Sequence, residues 1–352
     1  MRVVFLIFLT IISMFAQNTV SKVSSNLGVG WGMTFLNENS LLISQKNGQI
    51  ILLDLQSKET QNIQNIPKVL YQGQGGLLDI QKKDEWIYLT YVKNVNGQGV
   101  TTLARAKILD NKLVEFKDLL VTKSFSSASH HFGGRIAFDD KGHIFFSVGD
   151  RGYRHSAQDL SSHKGSILRL NLDGSIPLDN PFVNNANALG EIYSYGHRNP
   201  QGLFFDKNNK TLYSNEHGPR GGDEINIIKK GSNYGWPVVS QGKEYWNSSF
   251  VGDFRSKENF VDGIKVYVPS IAPSSLISYS GKKYNNLKGN LFSGALKLQH
   301  LNQIILDEND KVLQENRLLE DLHERIRNVV ESPKGEIYIS TDNGNIYLVN
   351  FE

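Results

Sequence analysis

Cysteine is absent from the sequence. That excludes disulfides, thiolate metal sites, cysteine nucleophiles and a lipid-modified cysteine anchor. Proline (9) and methionine (3) are scarce among 352 residues, whereas glycine (32), phenylalanine (18) and tyrosine (14) are plentiful. This balance suits many short strands joined by turns and does not suit a helical bundle. Long apolar runs are also missing, apart from Val3 to Phe15 behind Met1-Arg2. That run is shorter than the ~20 apolar residues of a spanning helix. Its charged start and short hydrophobic stretch read as a secretory signal peptide over residues 1–16, with Ala16 as the candidate cleavage point. The expected mature chain, 17–352, is therefore periplasmic or secreted, with no membrane span. A large excess of one charge is lacking too: 38 Lys and Arg against 35 Asp and Glu leave +3. So small a balance, with basic residues scattered among acids, points to neither nucleic acid nor a membrane surface as partner. With 39% hydrophobic residues the chain can bury a core large enough to fold unaided, which leaves monomer and dimer both open.

One phrase occurs six times. Trp31 to Ser44, Gly76 to Thr90, Gly134 to Ser147, Gln201 to Ser214, Pro273 to Gly294 and Ile326 to Ser340 each pair an apolar strand with a polar turn and a second apolar or aromatic strand. This is a hairpin signature. Several phrases continue into another alternating run, as at Gly48 to Leu55, Gly165 to Gly174 and Asn343 to Phe351. Four strands per unit is the content of a propeller blade. The expectation is an all-β, six-bladed β-propeller of four-stranded antiparallel blades forming one domain over 17–352. A β-sandwich is the alternative, but six near-equal phrases favour the propeller. The phrases begin about 45 to 75 residues apart, above the bare blade period of roughly 40 to 50, so several blades carry long loops. The longest insertions precede the fourth and fifth phrases, and the functional site is expected to be built from them around the central channel.

Three polar clusters could carry chemistry. The first is His130-His131-Phe132-Gly133-Gly134-Arg135, with Gly149-Asp150-Arg151-Gly152 after the next strand. In a hairpin the two segments occupy neighbouring strand ends. Asp150 can then fix the tautomer of one imidazole and leave its other nitrogen free as a general base. A tight inter-blade turn would use the same residues. The second cluster is Tyr195-Gly-His-Arg-Asn-Pro-Gln-Gly202. Here Arg198 could clamp a carboxylate and Asn199 offers both donor and acceptor. Pro200 places the stretch at a strand entrance. The third cluster runs from Glu216 through Gly218, Pro219, Asp223, Glu224 and Asn226 to Asn233-Tyr234-Gly-Trp236-Pro237. Its oxygen donors and flexible glycines are what a calcium loop requires, although acidic turns are often merely solvated. Lys297, Arg325 and Arg327 add cations at two further blade entrances. With Arg198 and Arg135 they would converge on one polyanion if the blades close into a ring.

These clusters, in this order from about Trp31 to the C-terminus, resemble the glucose/sorbosone dehydrogenase family. These are aldose dehydrogenases that use pyrroloquinoline quinone (PQQ). The strings Gly196 to Gly202, Asp223-Glu-Ile-Asn226 and Asn233-Tyr-Gly-Trp-Pro237 carry the resemblance. It implies a six-bladed propeller with PQQ over the channel, His131 as catalytic base, Asp150 as its orienting carboxylate, and Arg198 at both cofactor and reaction centre. Gln74, Asn199, Lys297, Arg325 and Arg327 are implied as further cofactor contacts. The carbonyls of Gly218 and Pro219 are implied for a calcium ion touching the quinone, and Glu224 and Tyr234 for a second, structural calcium. The expected activity is oxidation of an aldose at C1 to a lactone, with electrons passing to an external acceptor. The chain departs from the glucose dehydrogenase branch by having His130 before the base and His155, near Gln158, where that branch has a glutamine. Tyr245 and Trp246 offer an apolar face for a sugar ring, or core packing. Two other readings compete: a non-enzymatic ligand- or glycan-binding propeller, and a metal-dependent lactonase on the same fold.

Overall fold

The computed structural model describes residues 18–351 and contains six four-stranded antiparallel sheets with only three short 3-10 turns. The expected signal peptide, 1–16, lies outside the described residues. No helix among the described residues is long and apolar enough to cross a membrane.

Each repeated phrase forms the two innermost strands of one blade. The innermost strands are Gly30–Phe35, Leu77–Lys83, Ile136–Phe138, Pro200–Asp206, Pro273–Ser278 and Ile326–Glu331. They touch one another in that order, and the first touches the last, so the sheets form a closed ring of six blades. A strand absent from the repeated phrases completes the last blade. Thr19–Ser24 pairs antiparallel with the C-terminal strand Ile346–Asn350, so a segment from near the start of the chain closes the ring against its end. Closure of this kind leaves only short outer edges to protect.

The core is divided between blades. Leu42, Ile50, Leu77, Ile80 and Leu89 pack between blades one and two, and Ile277, Phe292, Ile326, Ile337 and Ile339 between blades five and six. Alternation explains the pattern, because successive side chains on a strand face the two neighbouring sheets and both faces are covered. The channel itself is bridged by Arg135. Its guanidinium pairs with Asp79 at 3.0 Å, donates to the Gln201 and Trp31 carbonyls and lies over the Trp31 ring at 4.1 Å. One buried side chain therefore joins four blades. Arg135 is paired within the protein and does not line the cavities that hold Arg198, Arg325 and Arg327, so it does not join them in a ring of cations awaiting a ligand.

Candidate active site

The candidate residues gather at one end of the channel, where chain enters the innermost strands. A cavity of about 300 Å³ is walled by Gln74, His130, His131, Asp150, Gly152, Arg154, Arg198, Trp236 and Tyr245. A second, of about 270 Å³, shares Gln74 and adds Trp31, Lys46, Arg325, Arg327 and Asp342. A larger cavity of about 720 Å³ opens at the other ends of the same strands. It is walled by Met33, Ile136, Leu203, Leu276 and Val329, and of the residues considered for catalysis or the cofactor it holds only Arg135.

His131 and Asp150 meet as hairpin neighbours. The His131 Nδ1–H donates to Asp150 Oδ1 at 2.7 Å, while the other carboxylate oxygen accepts the Trp236 indole N–H at 2.8 Å. Gly152 N–H adds a third donor at 2.8 Å. Burial alone would raise the Asp150 carboxyl, but the His131 hydrogen bond, the nearby charges and Gly152 outweigh it and hold the group below its usual range. Burial pushes the His131 imidazole down to about 4, against the opposing pull of Asp150. The ring is thus neutral near pH 7, with Nε2 free of hydrogen bonds to the described residues. A base of this kind needs its lone pair available.

The loop around His131 is held by groups outside the His131–Asp150 pair. His131 has φ of 56°, left-handed for a residue with a side chain. Its N–H donates to Gln74 Oε1 at 2.8 Å. Arg151, wholly buried, donates to the carbonyls of His130, Ala128 and Gly99 and lies 3.4 Å over the Phe132 ring. Holding a side-chain-bearing residue in this region costs about 1–3 kcal/mol, which such a clamp must offset. Gly149 allows the close approach, since a Cβ there would lie 2.2 Å from the His131 carbonyl oxygen. His130 touches the His131 ring edge-on at 4.5 Å, and His155 stands exposed on a 3-10 turn. Gln158 is a staple, donating to Asn233 Oδ1 and the Trp236 carbonyl.

Arg198 is 8% exposed and reaches no carboxylate with its side chain. It donates to the His217 carbonyl at 3.0 Å and Tyr245 Oη at 3.4 Å, and lies 5.3 Å over the Trp236 ring. Its charge remains available to a ligand. Arg325 and Arg327 behave differently, since both donate to Asp342, whose carboxyl they hold low against the effect of burial. Asn199 is buried, with Oδ1 accepting from the Gly133 N–H and the Gln201 amide, so it supports the cavity floor. Lys297 is exposed on the turn after strand Leu291–Ala295 and does not wall either cavity, although Leu296 beside it does. Tyr245 and Trp246 are 60% and 71% exposed, which rules out core packing. Arg154, paired with Glu244, lies between the Trp236 and Trp246 rings.

The third cluster encloses a space of about 20 Å³, walled by Glu216, Gly218, Glu224 and Tyr234 among others. That is room for about one water or ion. Burial, and then repulsion from Glu216, pushes the Glu224 carboxyl well above its usual range, so two carboxyl groups crowd this small space. Both features suit a cation bound by hard oxygens. No group of three or more acidic, His or Cys side chains suited to a metal occurs among the described residues, so backbone carbonyls would have to complete the set. The Tyr234 hydroxyl is committed to the Ile227 carbonyl and the Lys229 N–H, which leaves only its carbonyl as a donor. Gly218 shares this space with Glu224 and Tyr234. The Pro219 carbonyl is outside it and accepts from Ser270.

Comparison with known proteins gives this architecture a family. The model of the family described as Glucose / Sorbosone dehydrogenase matches residues 27–349. The chain belongs to the glucose/sorbosone dehydrogenase family. The aldose sugar dehydrogenase YliI of Escherichia coli is 35% identical over 342 residues, covering 93% of this chain and 91% of the relative. The quinoprotein glucose dehydrogenase B of Acinetobacter calcoaceticus is 27% identical, covering 92% and 85%. The crystal structure of the apo-form soluble aldose sugar dehydrogenase from Escherichia coli superposes with a TM-score of 0.90 at 33% identity, covering 95% of this chain and 99% of that one. Within this family fold, sequence reasoning gave no role to Trp236, Lys46, Arg151, Arg154 or Asp342. Trp236 lies inside a family string; Asp342 stands beyond the last strand of the final phrase.

Proposed function

We propose that the protein is an exported quinoprotein that oxidises aldose sugars at C1 to lactones, using PQQ and calcium and an external electron acceptor. The observation that carries this reading is the His131–Asp150 pair. A neutral imidazole with one nitrogen anchored at 2.7 Å stands in a cavity whose wall also holds the uncommitted Arg198. Oxidation at C1 removes the anomeric hydroxyl proton, and His131 Nε2 is placed to take it. Asp150 stabilises the resulting imidazolium without itself being protonated. Tyr245 and Trp246 offer a face to the sugar ring at the mouth, and Arg198 would polarise a carbonyl of the bound cofactor. When bound, PQQ supplies an ortho-quinone that accepts the two electrons and the C1 hydrogen. Arg198, Arg325 and Arg327 suit its carboxylates, since burying such an anion without cations would be prohibitive. The Gly218 carbonyl would help to hold a calcium ion beside them, and Glu224 with the Tyr234 carbonyl a structural one. Export rests on the leader-like residues 1–16.

In the lactonase alternative, channel carboxylates would bind a catalytic metal, but Asp79 and Asp342 already pair with arginines. The test is reconstitution of the purified apo-protein. Dye reduction with a panel of aldoses should require both PQQ and calcium. Turnover with neither, or with NAD in their place, would sink the assignment, and sugar binding without turnover would favour the non-enzymatic propeller. Calcium should separately raise the melting temperature of the PQQ-free protein. Glu224→Gln should melt at or above the calcium-free wild type and lose most of calcium's stabilisation. Equal stabilisation of both proteins would place the ion elsewhere.

A further inference from the structure

We propose that Lys46 is a further cofactor-binding residue, whose ammonium meets a carboxylate of the bound quinone alongside Arg325 and Arg327. The proposal rests on the PQQ reading above and adds to it a residue that neither motif nor resemblance marked.

Lys46 follows strand Ser40–Gln45 and ties down the loop that carries Gln74. Its carbonyl accepts the Leu77 N–H at 3.1 Å, and its ammonium donates to the Gly73 carbonyl. The fit is close, since a Cβ at Gly76 would lie 2.0 Å from the Lys46 carbonyl oxygen. Such a staple alone would be structural, and any residue able to reach Gly73 would serve. The surroundings argue for more. Lys46 stands on the wall of the cavity of about 270 Å³ with Gln74, Arg325, Arg327 and Asp342. Asp342 is the one carboxylate on that wall and it bonds both arginines, so three cations face one anion and two positive charges remain uncompensated. An excess of like charge around a concave space is unfavourable when empty and becomes favourable when an anion with more than one carboxylate enters. The lysine registers that excess. Its pKa is lowered by burial first and by Arg327 second, and Asp342 only partly opposes them. No carboxylate within salt-bridge distance of Lys46 Nζ occurs among the described residues, and Tyr71, 5.5 Å below it, adds only a ring face.

The experiment measures PQQ affinity of the calcium-loaded apo-protein, by quenching of tryptophan fluorescence, without any turnover. Lys46→Met should weaken PQQ binding about 10- to 100-fold, the loss expected when a hydrogen bond to a charged group disappears, and should flatten its dependence on salt. Lys46→Arg should bind within roughly threefold of wild type, because the charge is kept. Lys46→Gln can retain the bond to Gly73 and should nonetheless lose affinity like the methionine variant. It stands as the decisive variant should Lys46→Met fail to fold. Wild-type affinity in Lys46→Gln would overturn the proposal, and so would equal losses in Lys46→Arg and Lys46→Met. If the wild-type protein fails to bind PQQ, the cofactor reading falls, and this proposal with it.

Discussion

Replacing His131 with glutamine should lower turnover by roughly 10² to 10⁴-fold, the usual range for loss of a positioned general base, while PQQ affinity stays near normal. Glutamine keeps a hydrogen-bonding side chain of similar reach but cannot take a proton near neutral pH. The cations proposed for the cofactor lie on other blades and should be undisturbed. His130→Gln is the control: this ring touches His131 only edge-on at 4.5 Å and bonds no carboxylate, so its loss should cost far less. Asp150→Asn should fall between the two, because the ring remains while its orienting charge is lost. The pH dependence gives a second check. With the imidazole held at about 4, kcat/KM should keep its plateau through pH 5 and fall only as pH approaches 4. Stability carries the same signature. The unfolded chain protonates this ring from its ordinary value of 6.5, whereas the folded protein resists until about 4, so stability is lost as pH drops through that window. His131→Gln should therefore be less sensitive to acid than wild type. Full activity in His131→Gln would defeat the assignment, and so would equal loss in both histidine variants accompanied by unfolding.

How much of this was legible in the sequence depended on how local the cause was. The six phrases were readable because the two inner strands of every blade are covered on both faces, and that demand is written into each hairpin. The closing strand Thr19–Ser24 was not, since TVSKVS is polar, lies at a sheet edge and finds its partner more than three hundred residues away. The His131–Asp150 pair was readable because a hairpin sets its two members side by side. The pairing of Arg135 with Asp79 leaves no local trace, because the two residues stand 56 positions apart on different blades. Lys297 misled in the opposite way. Its apolar neighbours do turn inward, as buried Leu296 shows, but the lysine stands on the turn and points its charge outward. Both long insertions expected to build the site contribute to it, the earlier through Asp150, Gly152, Arg154 and Arg198 and the later through Trp236 and Tyr245. The middle of the earlier one packs on its own blade, where Asp179 and Asn180 bind Arg169.

Arg198→Ala should reduce PQQ affinity about 10- to 100-fold, as expected for loss of a hydrogen bond to a charged group. In cofactor-saturated protein it should also lower turnover by roughly 10² to 10³-fold, the loss typical when one donor to a developing charge is removed. The double effect follows from position. Arg198 is the one described residue that walls the base-containing cavity, lies over Trp236, and also borders the small oxygen-lined space, so under the proposed reading a single guanidinium would face base, cofactor and ion together. Its fork is held by the His217 carbonyl and Tyr245 Oη, neither of which neutralises it. Arg198→Lys separates the two roles. It keeps a charge for the cofactor but loses the planar fork, so affinity should recover more than turnover. The fold should tolerate both changes, because the backbone N–H of residue 198, which donates to Glu216 at 2.6 Å, is unaffected by either. Unchanged PQQ binding in Arg198→Ala, measured on protein that melts like wild type, would show that this cation does not face the cofactor. Both the proposed polarisation and the charge clamp would then have to be abandoned.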